Sequence, residues 1–120
     1  MIEGGNERAH RMPEHYGRHI PPTVQLVRDL ARAEAVLVTE HAADMLLQRY
    51  ITSETLHSAL CNRVEMVEDY PDDPRGHSCL VECTGLQGDI WHCVCSVVEI
   101  DEGQILVIIT VYEPGGEIEP

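Results

Sequence analysis

The chain has no Lys, no Phe, only one Trp and no long apolar run, and each absence excludes something. Without Phe the core must be built from Leu, Val, Ile, Ala and Cys. The longest nearly uncharged run, Ile105 to Tyr112, falls far short of the ~20 apolar residues that a membrane helix needs. The N-terminus lacks the apolar stretch of a signal peptide. A soluble, cytoplasmic protein without membrane attachment is the expectation. Nothing repeats internally, and no Gly-rich phosphate loop occurs.

What is present is acid. All eight basic residues are Arg, against 21 Asp and Glu, for a formal net charge of -13. Residues 1–35 hold five Arg and five acids, so the whole net charge falls on residues 36–120. Non-specific affinity for nucleic acid comes mainly from cations that neutralise phosphates. The charge therefore argues against a free-standing nucleic-acid binder and fits a basic partner. The five Cys are odd in number, and without an export signal they read as reduced core residues. A zinc site from Cys79, Cys83, Cys93 and Cys95 is the alternative, because C-x3-C and C-x-C each put a pair on one strand face. Neither pair has the turn-borne setting of a zinc knuckle. No cofactor is otherwise called for.

At 120 residues the chain is one domain. Met1 to Pro22 is polar and reads as a flexible arm (residues 1–22), with His10, His15 and His19 solvated. The domain proper spans 23–116, and 117–120 is a tail. Thr23 caps a helix from Val24 to about Ala35, and Ala35 to Val38 is a short strand or a connection. Thr39 caps a second helix with the apolar stripe Ala43, Leu46, Leu47 and Tyr50, leaving His41 off that stripe in the first turn. Thr52 caps a third, burying Leu56, Ala59 and Leu60 and ending near Asn62, and Ile51 staples to Leu56. The second and third helices are expected to form a helical hairpin. From Val64 the period changes to two. Strands follow over Val64–Tyr70, Ser78–Thr84, Ile90–Glu99 and Ile105–Glu113, the first two separated by a Pro71–Gly76 loop. The expected fold is α+β, with helices on a four-stranded, mostly antiparallel sheet.

The stretch Asp89 to Glu99, DIWHCVCSVVE, is apolar on both faces, as a covered central strand should be, except at His92. With Asp101 opposite Gln104 in the last hairpin, His92 faces Glu113. A five-residue turn before it puts Glu82 on the other side. An imidazole between carboxylates can act as a general base, and the alternative is a core imidazole satisfied by one acid. Arg49 is the only Arg between residues 33 and 62 and offers a fork for phosphate or carboxylate. Arg75 is a second candidate contact, with Asp72 and Asp73 as local partners, and Glu82 a third.

The pieces His41-Ala42, Arg49, Ile51-Thr52, then Tyr70-Pro71-Asp72-Asp73-Pro74-Arg75-Gly76 with Ser78-Cys79-Leu80-Val81, then His92, and last Thr110-Val111-Tyr112-Glu113-Pro114 resemble a bacterial family. It is the one named domain of unknown function 4258, and the likeness covers about residues 36–114. That family is similar to small toxins of the RelE, BrnT and MqsR type, in which two helices pack on an antiparallel sheet. The resemblance implies endoribonucleolytic cleavage of messenger RNA under control of an antitoxin protein. Its family positions here are His41, Arg49, His92, Tyr112 and Glu113. The two His would serve as acid or base, and Arg49 would contact phosphate. Met45 stands where the family often has Arg, and Tyr50 where it has Gly. The leading expectation is a metal-independent ribonuclease using His41, Arg49 and His92. A silent protein-binding relative is second, and a zinc protein third.

Overall fold

A computed structural model describes residues 17–114. Three Thr side chains start its three helices, each accepting from a backbone N–H three residues on. Thr23 Oγ1 takes Leu26 N at 3.1 Å ahead of α1 (Val24–Arg32), and Thr39 Oγ1 takes Ala42 N at 3.1 Å ahead of α2 (Glu40–Gln48). Thr52 Oγ1 takes Thr55 N at 3.0 Å ahead of α3 (Ser53–Asn62). α1 and α2 end alike, in Schellman motifs. In α2, Ile51 N donates to Leu46 O (2.9 Å) and Tyr50 N to Leu47 O (3.1 Å); in α1, Ala35 N donates to Leu30 O (2.9 Å) and Glu34 N to Ala31 O (3.0 Å). The left-handed residue that such a turn requires is Glu34 (φ 60°) in one and Tyr50 (φ 57°) in the other.

The expected four strands are present as β3 (Arg63–Tyr70), β4 (Ser78–Thr84), β5 (Ile90–Ile100) and β6 (Gly103–Tyr112), running antiparallel to their neighbours. The sheet is nevertheless six-stranded and mixed. β2 (Val36–Val38) lies parallel to β6 at one edge, in the order β2-β6-β5-β4-β3. β1 (Arg18–Ile20) comes from the segment read as an arm and pairs antiparallel with Val97–Glu99 of β5, in line with β4, whose own pairing with β5 stops at Ser96. The two additions are three residues each, too short for a period of two to show in the sequence. Residues 1–16, with His10 and His15, lie outside the described ones.

The helices cover one face. Cys79, Val81, Cys93, Cys95, Val97 and Val111 of the sheet meet Val27 and Ala31 of α1, Ala42 and Leu46 of α2, and Leu56 and Leu60 of α3. The helical hairpin does not form. α3 packs on α1, where His57 Nε2 lies 2.7 Å from Ala31 O, while α2 packs on β6. The reason lies in the apolar stripe of α2. Its buried residues are Ala42 and Leu46; Ala43, Leu47 and Tyr50 are exposed, the last by 95%. The Schellman turn then drives Ile51 into the core and sends α3 off in a new direction. No helix among the described residues is long and apolar enough to cross a membrane.

Candidate functional site

Alternation along β5 sends Trp91, Cys93, Cys95 and Val97 into the core, and His92, Val94, Ser96 and Val98 to the other face. Cross-strand pairing builds rows on that open face: Glu82, His92 and Tyr112 in one, Ser78, Ser96 and Val107 in another. His92 Nε2 lies 3.0 Å from Glu82 Oε1, and the Tyr112 ring meets the imidazole edge-on with centroids 5.5 Å apart. The His92 side chain is 15% exposed, so it is not sealed in hydrocarbon.

Glu82 stands where the turn length put it, but Glu113 does not. The β5–β6 turn is Asp101-Glu102, with Ile100 opposite Gly103. An unbroken ladder from that pair would set Val111 opposite His92. Ile109 is an extra residue in β6, which shifts the register between Cys95↔Ile108 and Val94↔Thr110. The bulge puts Tyr112 opposite His92 and returns Val111 to the core. Glu113 lies past the end of the strand, exposed.

At the other end of the open face the Pro71–His77 loop is organised by Asp73. Its Oδ1 accepts from Arg75 N (2.9 Å) and Arg75 Nε (3.1 Å), and its Oδ2 from Arg75 Nη2 (3.0 Å) and Ser78 Oγ (2.7 Å). The guanidinium beside it holds the Asp73 carboxyl well below the usual carboxylate range. The same fork fixes the plane of Arg75, whose side chain is 65% exposed and whose Nη1 stays clear of the fork. Gly76, at φ 121°, has the His19 ring flat against it: an added Cβ would lie 2.4 Å from three ring atoms. β1 delivers that ring by pairing His19 with Val98.

These parts enclose a cleft of about 860 Å³ lined by His19, Thr39, His41, Arg75, Ser96 and the bulged Ile109, among others. Thr39, capping α2, is anchored to the bulge through Oγ1 to Ile109 O (3.4 Å), and so places His41 at the rim. His41 is exposed and has no hydrogen-bond partner among the described residues, and His19 Nδ1 is buried without one. No carboxylate lines this cleft. The other three described clefts carry Glu34 and Glu54; Asp69, Asp72 and Asp73; and Glu54 and Asp89.

The structure therefore brings His41 and Arg75 together but not His41, Arg49 and His92. Arg49 caps the far end of α2, about 12 Å from His41 by helical rise, and its Nη1 lies 3.7 Å from Met45 Sδ. Four residues of β5, about 13 Å, separate His92 from Ser96 at the cleft. His19, expected with His10 and His15 to be a solvated side chain of the arm, is instead carried into the cleft by β1 with its Nδ1 buried. Ser96 joins it unannounced, since nothing local marks a Ser among valines. The four sheet Cys are wholly buried in the core. Burial pushes the Cys93 thiol far up and that of Cys83 up to about 12, which leaves both as neutral thiols. Among the described residues no three metal-binding side chains converge, and the four sheet Cys belong to the core cluster.

No match to the chain is found among curated proteins or solved structures. Most of the pieces that build the open face, from the Thr39 cap through the Asp73 loop to His92 and Tyr112, fall within residues 38–113, whereas His19 of β1 lies outside them. That span, more than half of the chain, matches a single family pattern, and the chain accordingly belongs to the family described as Domain of unknown function (DUF4258).

Proposed function

We propose that this domain is a toxin-type endoribonuclease whose reacting centre is the cleft at the start of α2. The observation that carries the reading is that, on a chain of net charge -13, this cleft is lined by two imidazoles and a guanidinium, with no carboxylate in the lining itself and Asp73 held behind it in the Arg75 fork. Cleavage of RNA without a metal asks for those groups. A base takes the proton of the 2′-hydroxyl, whose oxygen attacks the adjacent phosphorus. An acid protonates the departing 5′-oxygen, and cationic donors stabilise the charge that builds on the phosphoryl oxygens. His41 and His19 take the acid and base roles, and Arg75 binds phosphate through Nη1. The products are a 2′,3′-cyclic phosphate and a 5′-hydroxyl. His92, with Glu82 and Tyr112, lies too far along the strand to share one phosphodiester with His41 and stands outside the reacting centre.

A second reading rests on a different observation. β3 is an edge strand that exposes Glu65, Glu68 and Asp69 beside Met66 and Val67. An acidic strand edge with apolar side chains suits a basic protein segment, which an antitoxin would supply and a silent binding relative would equally use. The test is cleavage of a single-stranded RNA oligonucleotide in EDTA. His41→Ala is expected to reduce the rate by ~10²-fold or more and Arg75→Ala to weaken it clearly, while His92→Ala stays near wild type. Wild-type protein that cuts no RNA, or His41→Ala protein that cuts as fast as wild type, would leave the binding module as the better account.

A further inference from the structure

The far end of α2 poses a question that folding does not answer. Tyr50 occupies the left-handed position of the Schellman motif at φ 57°, where a side chain is strained and Gly is preferred. Its ring is 95% exposed, so no burial offsets that strain. Leu47, one turn back, is 74% exposed. Arg49, the residue before Tyr50, bonds no carboxylate among the described residues, as Arg28 and Arg32 of α1 also do not, and its Nη1 meets only Met45 Sδ at 3.7 Å. Strain retained on a solvent-facing aromatic beside a guanidinium that no acid has claimed points to a ligand.

We infer that Arg49 and Tyr50 form a flanking subsite for single-stranded RNA, with a base stacked on the Tyr50 ring and a phosphate on Arg49. This rests on the ribonuclease reading above. An aromatic face takes any base, and a guanidinium takes the backbone. α2 is the ruler between them: His41 sits in its first turn and Arg49 at its end, about 12 Å apart. Arg49 is turned about 80° round the helix from His41, so a strand crossing the helix obliquely is cut at one end and held at the other. Tyr50 then governs affinity for longer strands without touching the scissile bond.

Glu34 supplies the control, because it holds the same left-handed place at the end of α1 (φ 60°). Binding is measured by fluorescence anisotropy with 2′-O-methyl oligonucleotides, which lack the attacking hydroxyl and stay intact. Tyr50→Gly and Glu34→Gly are both expected to raise the unfolding midpoint by a few degrees, since each relieves the same strain. Only Tyr50→Gly should weaken binding of an octamer, by roughly tenfold. Its affinity for a dinucleotide should not change, and Tyr50→Phe should bind as wild type does. A Tyr50→Gly protein that gains stability and keeps full octamer affinity overturns the subsite. If such a protein also cuts RNA in a His41-dependent way, the ribonuclease reading stands without it. Wild-type protein that neither binds nor cuts RNA removes both, and leaves Leu47 and Tyr50 to a protein partner.

Discussion

The two faces of β5 are made of alternate residues of one strand, yet they do opposite things. The helix-covered face holds Trp91, Cys93 and Cys95, side chains rich in chemistry, and uses them as filler. Cys95, whose thiol is pushed up by its hydrogen bond with Cys79 and by burial, packs with its sulfur 3.8 Å from the Cys79 sulfur. The open face holds ordinary His and Ser side chains and borders every group that the proposed reaction uses. Residue type is a poor guide to reactivity here. Solvent access and the neighbours that the sheet supplies decide it.

The comparison breaks most visibly on the covered face. Leu106 is wholly buried opposite Val97, and Leu106→Ala should lower stability by about 2–5 kcal/mol in urea unfolding. An effect below ~1 kcal/mol would mean that the helices do not close over this face as described.

Next comes the Asp73 loop, the joint between sheet and cleft. Asp73→Asn loses the charged fork to Arg75, and at neutral pH should cost about 1–3 kcal/mol. The pH dependence carries a definite sign. Arg75 depresses the folded-state pKa of Asp73, so its stabilisation is complete above the unfolded value of ~3.9 and fades as pH falls below that, toward the folded value. The Asn variant should show a shallower loss of stability than wild type on acidification below about pH 4. Parallel acid limbs in the two proteins would mean that the fork does not persist in solution.

The smallest effect belongs to the His92–Glu82 pair, at 15% and 34% side-chain exposure. A double-mutant cycle of His92→Ala and Glu82→Gln should return a coupling of about 0.5–1 kcal/mol. A coupling of several kcal/mol would move this pair from the rim of the argument to its centre, because a pair that strong would have to be held away from water.

Much of this was readable before any fold was known. Thr23, Thr39 and Thr52 each precede an amphipathic run, and an N-cap is a local contract between one hydroxyl and a nearby amide. The four long strands announce themselves by alternation and by Pro-rich or Gly-bearing breaks. Glu82 opposite His92 followed from the length of the Gly85–Asp89 turn. Tyr112 in place of Glu113 did not, because a single bulged residue, Ile109, looks like any other Ile in a β-rich run. The buried stripe of α2 lies one position from the one its sequence suggests, since Ala42 and Ala43 are alike to a period and differ only in which one is buried.

The sequence by itself therefore determined the three helices, the four long strands, the aliphatic core and the family, because each depends on local patterns. It also singled out His41 and Arg75, though on separate grounds. Their meeting, the arrival of His19 and the parting of Arg49 and His92 from them were decided only by tertiary structure. The cleft draws its walls from residues as far apart as Gly17 and Ile109. Which of them converge depends on strand order, on register and on one extra residue in β6, and none of these leaves a local trace.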